Sequence, residues 1–211
     1  MTQQELLQRI AQCHTWKTDL TPMVALAERL GNPQEHLKFV HVGGTNGKGS
    51  TCAMTAAVLE ASGYRVGRFV SPYILEFRER IQINGEMIPE ADLCRIGERV
   101  LNAVAKLSKD SLYPTEFDVV TMIGFIWFLE QHCDIVVLEV GITKEQWKMS
   151  GSSSGDNGNL AIFFICGTVA AKIAFNILYL IRMCCVDTFQ HIVSIVFRCI
   201  DNFLHKMPPC C

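Results

Sequence analysis

The sequence predicts an α/β fold, a doubly wound and largely parallel sheet with helices on both faces. Three observations predict it. Short apolar strands alternate with helical stretches along residues 1–142, the order that builds parallel βαβ units. One strand, Asp134–Val140, is a near-continuous aliphatic run, the mark of a central strand covered on both faces. A glycine-rich loop, Gly43–Thr51, stands directly between a strand and a helix, at the kind of turn where open α/β sheets gather ligands.

The elements follow in order. Leu6–Ala11 and Met23–Leu30 carry apolar residues at three- and four-residue spacing, and Gly31-Asn32-Pro33 ends the second as a helix should end. Phe39–Val42 is a short strand running into the glycine cluster, and Ser50–Ser62 reads as a helix closed by Gly63. Arg65–Val70 is a second strand, stopped by Ser71-Pro72. Glu79–Ile83 and Met87-Ile88 flank Asn84-Gly85, a strong hairpin dipeptide. Glu90–Leu107 and Thr115–His132 are helical.

The chain has 211 residues, 49% hydrophobic and 19% charged, which excludes a disordered or fibrous class and fits one large domain or one domain with an appendage. A formal charge of −2 gives no argument for a nucleic-acid or acidic-membrane partner. The composition breaks near residue 142. Residues 1–142 carry a formal charge of −4 and the remainder +2, and six of the ten cysteines fall in the shorter second part. Cys13, Cys52, Cys94 and Cys133 lack metal-ligand spacing and read as buried free thiols of a reducing compartment. Met1–Ile10 is polar, unlike a signal peptide, so a cytoplasmic address is expected.

Residues 143–159 read as a linker, most clearly Met149–Asn159, which is rich in glycine and serine. Residues 160–211 form an atypical apolar, cysteine-rich tail. Within it Leu160–Ile181 has the length of a membrane span, but Lys172 near its centre costs roughly 2.5–3.5 kcal/mol on insertion. A membrane partner is expected only if that run is a real span.

The strongest chemical signal is Gly43-Gly44-Thr45-Asn46-Gly47-Lys48-Gly49-Ser50-Thr51. Glycines let backbone amides approach a phosphate, and a helix N-terminus aims those amides inward. Lys48 adds a point charge for the β- and γ-phosphates, and a hydroxyl can meet a magnesium sphere. The loop departs from the common G-x-x-x-x-G-K-[ST] form, because Val42 stands at the first glycine position and Gly49 follows the lysine. The bland alternative is an ordinary glycine-rich turn between strand and helix.

Phe39–Ser50 resembles the nucleotide loop of the folylpolyglutamate synthase and dihydrofolate synthase family, in the Mur ligase superfamily. Further features of that family follow in order: Ser71-Pro72 with Phe77–Ile81, Ile83-Asn84-Gly85, Thr115-Glu116-Phe117, and Asp134–Gly141. The resemblance covers roughly residues 1–142. It implies a P-loop-containing, Mur-ligase-like nucleotide domain, here incomplete, with ATP and Mg²⁺ as cofactors. The implied activity is joining glutamate to a folate or dihydropteroate carboxylate through an acyl phosphate, in a monomer without nucleic acid. This segment does not choose between the two synthase activities.

The same resemblance assigns roles. Lys48 would be the catalytic cation, with Thr45, Asn46, Gly47, Gly49, Ser50 and Thr51 completing the nucleotide site. Magnesium would be held by Ser71 and Glu139, hard oxygen donors at strand ends. Asp19-Leu20-Thr21 and Thr115-Glu116-Phe117 would hold the pterin, with Asp19 hydrogen-bonding and Phe117 stacking. Read without it, Glu139 is a solvated strand-end charge, Ser71 a turn hydroxyl, Asp19 a helix N-terminal residue and Phe117 core. Arg78-Glu79-Arg80 reads as a solvated strand face, and Tyr73 stands where the family commonly has histidine.

After Gly141-Ile142 the family pattern gives way to Thr143-Lys144-Glu145-Gln146-Trp147. The later strands, the second metal-binding histidine, the modified lysine and the glutamate-binding domain of the family have no match here. The tail reads as an out-of-frame or foreign continuation, with a membrane anchor as the competing reading. The expectation is therefore a ligase by lineage but a chain poor at ligation. The alternative is a catalytically silent nucleotide-binding fragment, attached to a membrane if the span is real.

Overall fold

The computed structural model describes residues 1–13, 20–44 and 47–139, together with the backbone of 160–164. Five helices and six strands are found among them. The helices are α1 (Gln3–Ala11), α2 (Thr21–Leu30), α3 (Lys48–Ala61), α4 (Glu90–Leu107) and α5 (Glu116–Glu130). The strands are β1 (Phe39–Gly44), β2 (Val66–Phe69), β3 (Ile81–Ile83), β4 (Glu86–Met87), β5 (Ile135–Glu139) and β6 (Leu160–Phe164).

Local chemistry sets most boundaries. α1 starts at a capping box, in which Thr2 Oγ1 accepts from the Glu5 amide at 3.2 Å and the Glu5 carboxylate accepts from the Thr2 amide at 2.9 Å. α5 repeats the device with Thr115 and Asp118, so Thr115 is the cap and not the first helical residue. Gly31 ends α2 at φ +88°, a conformation that costs a side-chain-bearing residue more. Asn84 and Gly85 take φ +47° and +81°, the two left-handed positions that a type I′ hairpin between β3 and β4 requires.

The sheet order is β4-β3-β2-β5-β1-β6. β2, β5, β1 and β6 run parallel, and β3 and β4 form an antiparallel margin. The aliphatic strand β5 lies between β2 and β1, in the sheet interior as its composition predicts. Alternate residues supply two cores. Phe39, Phe69, Val136 and Leu138 join the core with α1, α2, α4 and α5. Val40, Val42, Val66 and Val137 face Cys52, Ala56 and Leu59 of α3. Helix α5 is buried from Asp118 through Phe128, because the sheet covers one side and α4 and α1 the other.

Three expectations need correction. Phe77–Arg80 is a 3-10 turn leading into β3, not a solvated strand face, and the Arg80 side chain is only 11% exposed. Its capping box, formed by Glu76 and Glu79, competes with the extended backbone that its alternating charges suggest. Of the four free thiols in the first part, Cys52 is buried, whereas Cys13, Cys94 and Cys133 are half-buried at helix and loop margins. Lastly, Leu160–Phe164 is a strand that pairs in parallel with β1, from Val40–Leu160 to Gly44–Phe164. A short apolar run fits a buried strand as well as a buried helix by periodicity alone, and pairing with β1 decides in favour of strand. The rest of Leu160–Ile181 and the linker Met149–Asn159 lie outside the described residues. Among the described residues no helix is long and apolar enough to cross a membrane.

Candidate functional site

The register of the sheet explains how distant sequence segments meet. Val42 pairs with Glu139 and Phe69 with Leu138, so the carboxyl ends of β1, β5 and β2 are level. β1 runs out into the glycine loop, β5 ends on Glu139, and β2 continues through Val70 to Ser71. The loop lysine, the strand-end carboxylate and the serine of the S-P motif therefore converge at one edge of the sheet.

Helix α3 begins at Lys48 after Gly47, which sits at φ +78° as its cap and offers no side-chain hydrogen bond. Helix geometry leaves the first-turn amides without intrahelical acceptors, and the aligned peptide dipoles give that end partial positive charge. Lys48 Nζ lies 4.0 Å from Glu139 Oε1. The Ser71 amide donates to Glu139 Oε2 at 3.3 Å. A Cβ at Gly49 would stand 3.9 Å from the same oxygen, so the first turn of the helix passes close over the carboxylate. Glu139 is buried, at 6% exposure. Burial raises its pKa above the ordinary carboxylate value, and the Ser71 amide and Lys48 oppose that shift.

A buried carboxylate with one cation and one amide is an oxygen donor short of compensating charge. That suits a hard divalent cation, which takes one or two protein oxygens and completes its sphere with phosphate and water. Ser71 is half-buried beside it and adds a hydroxyl to the donor set. Thr51 contributes differently from the expectation. Its side chain is buried, and its hydroxyl donates to the Gly47 carbonyl at 2.8 Å, inside the first turn of α3. Ser50 is the exposed hydroxyl of that turn. Thr45, Asn46 and Asp19 lie outside the described residues.

The second group of candidates sits at the start of α5. The Thr115 side chain and amide are occupied by Asp118 in the cap. Phe117 is half-buried and meets Phe69 edge-on, with ring centroids 6.0 Å apart. The Glu116 carboxylate is 3.4 Å from Arg80 Nη1, and its amide donates to the Cys13 carbonyl at 2.8 Å. Leu20 and Thr21 open α2, which shares its core with α5. A cavity of about 870 Å³ lies beside these residues, lined by Glu116, Tyr73, Phe77, Glu90 and the face of α1 from Gln3 to Ala11.

Sequence reasoning missed what joins the two groups. The loop from Ser71 to Glu76 starts at Glu139 and reaches the cavity at Tyr73. It is held from below by Glu79, whose carboxylate accepts from the amides of Ile74, Leu75 and Glu76 at 2.8, 3.1 and 3.0 Å. Those amides hold the Glu79 pKa below its ordinary value. The available signal was the glutamate three residues after Glu76, the spacing of a capping box.

A folylpolyglutamate synthase of Lacticaseibacillus casei is 43% identical over 122 residues, 57% of this chain and 28% of its own length. A dihydrofolate synthase/folylpolyglutamate synthase of Bacillus subtilis is 40% identical over 128 residues, 60% of this chain and 30% of its own. Among solved structures, a folylpolyglutamate synthase complex with AMPPCP and folate superposes with a TM-score of 0.68 at 32% identity, over 80% of this chain and 42% of that one. The N-terminal part of the chain is similar to the folylpolyglutamate and dihydrofolate synthases. No family model matches it. A family structure solved with Mn, AMPPNP and L-glutamate bound superposes with a TM-score of 0.61 at 30% identity, over 67% of this chain and 34% of that chain. The chain spans about 30% of the length of the curated synthases it matches.

Proposed function

We propose that this chain carries the nucleotide and metal side of an ATP-dependent ligase that joins glutamate to a folate or dihydropteroate carboxylate. The observation that carries the reading is the convergence of Lys48, Ser71 and Glu139 at the carboxyl edge of three adjacent parallel strands. ATP phosphates would lie across the N-terminus of α3, where first-turn amides and Lys48 meet negative charge. Mg²⁺, held by Glu139 and Ser71, would neutralise charge on the transferring phosphoryl group. The acid substrate would approach from the cavity past Tyr73, with its carboxylate directed at the γ-phosphate and its body against Glu116 and Phe117. Attack of the carboxylate on the γ-phosphorus would break its bond to the bridging oxygen, release ADP and give an acyl phosphate. The amine of glutamate would then attack the acyl carbon, expel phosphate and lose a proton to form the amide. Lys48 stabilises charge throughout and transfers no proton. The nucleotide domain of this proposal runs over residues 1–142, with 143–159 as a connection and β6 adding to the edge of its sheet.

Calorimetric titration with magnesium–ATP tests the reading. Lys48→Ala should weaken binding at least about tenfold, the effect of losing one phosphate-facing charge in a partly buried site. Lys38→Ala should change little, because Lys38 is exposed and precedes β1 at the far end of the strand. Equal affinities for the two variants refute the assignment.

A further inference from the structure

We propose that Arg80 is a positioning residue for the acid substrate, resting on the ligase reading above. Its guanidinium fastens three residues of the cavity wall, Tyr73, Phe77 and Glu116, into one surface.

The geometry is specific. The guanidinium carbon lies 5.5 Å from the ring centroids of both Tyr73 and Phe77. The two rings meet edge-on at 5.9 Å. Arg80 Nη1 reaches Glu116 Oε1 at 3.4 Å, across from the start of α5. The Arg80 carbonyl accepts from the Val70 amide at 3.0 Å, which ties the residue to the strand end that leads to Ser71. Arg80 Nε is buried with no hydrogen-bond partner among the described residues. Leaving such a donor unmet is costly, so this side chain is held by its rings and by Glu116 and not by full hydrogen bonding.

The consequence concerns the substrate more than the nucleotide. Tyr73 is two residues from Ser71, and two residues span no more than about 7 Å of chain, so the wall that Arg80 holds begins where the metal site ends. Tyr73 is 45% exposed and therefore presents a ring to whatever enters the cavity. Glu116 presents a carboxylate beside it. A planar, amino-substituted heterocycle could stack on the ring and donate to that carboxylate. A lysine at position 80 would keep the charge but lose the flat, weakly hydrated group that packs against two rings and reaches a carboxylate at once.

The test is titration of the purified full chain and two variants with two probes measured separately, 7,8-dihydropteroate and magnesium–AMPPCP. Arg80→Lys should weaken dihydropteroate binding about tenfold, the scale of a partly desolvated cation–π and ion-pair contact, and should leave magnesium–AMPPCP affinity within about twofold. Arg80→Met keeps apolar packing beneath the rings and should show the same selective loss, so the proposal stays testable if one variant does not fold. Unchanged dihydropteroate affinity in both variants overturns the proposal. An equal loss for both probes also overturns it, since a purely structural residue would produce that pattern. If the wild-type chain binds magnesium–AMPPCP but no dihydropteroate, the substrate half of the ligase reading fails, and the role of Arg80 fails with it.

Discussion

Replacing Glu139 with glutamine should separate stability from function. At 4.0 Å the attraction to Lys48 is about 4 kcal/mol with an effective dielectric near 20, while taking a carboxylate out of water costs several kcal/mol. The raised pKa says that desolvation exceeds what Ser71 and Lys48 return. A carboxyl group with a raised folded pKa contributes stability fully below its unfolded value, and the contribution is lost as pH rises through the folded value. Above its folded pKa the ionised Glu139 therefore burdens the ligand-free chain. Glu139→Gln removes the charge at nearly the same volume and can keep an acceptor for the Ser71 amide. Its unfolding free energy in urea at pH 7 should be unchanged or higher by up to ~1 kcal/mol. Calorimetry should meanwhile show magnesium-dependent AMPPCP affinity reduced at least about tenfold, or ~1.4 kcal/mol. A variant destabilised by more than ~2 kcal/mol with an intact magnesium response would show that the carboxylate is structural and refute the metal assignment.

Two further predictions concern the scaffold. His41, buried on β1 and pushed down by desolvation to a pKa of about 4, must be neutral to fold; as pH falls from 6.5 the unfolded chain takes up a proton that the folded chain refuses. Stability should therefore drop by ~1.4 kcal/mol per pH unit towards pH 4 from this residue, and the pH profile of His41→Gln should be correspondingly flatter; superimposable profiles would reject the idea. Gly67 on β2 faces Phe128 of α5, and a Cβ there would lie 2.8 Å from the ring. Gly67→Ala should cost ~1–3 kcal/mol in urea unfolding, with part recovered by adding Phe128→Leu, whereas strictly additive costs would exclude that contact as the cause.

Much of the layout was legible because it is written in local chemistry. Gly31-Asn32-Pro33 stops α2, Asn84-Gly85 makes the hairpin, and the aliphatic run of β5 could be stable only with both faces covered. Each signal acts within a few residues, on backbone conformation or on solvation. The start of α3 directly after the glycine-rich loop was legible for the same reason, since glycines, lysine and helix start are adjacent in the chain. The helix Thr115–His132 was placed almost correctly, but its burial on nearly every side depends on which elements pack against it.

What the sequence could not determine was which side chains face one another across the sheet. Arg78-Glu79-Arg80 carries the charge pattern of a solvated surface, yet the Arg80 side chain is mostly covered, packed against two rings and Glu116, a residue 36 positions away. Thr51 has the right position for a phosphate contact, yet its hydroxyl is turned into its own helix. Glu139 looks like any strand-end carboxylate until the register of β2, β5 and β1 brings Ser71 and Lys48 to it. Leu160–Phe164 is a strand through its parallel pairing with β1, a partner more than a hundred residues away. Local sequence fixes backbone preference through short-range sterics and hydrogen bonding. Contacts between residues tens of positions apart depend on strand order and register, and those follow from burying the whole apolar surface at once.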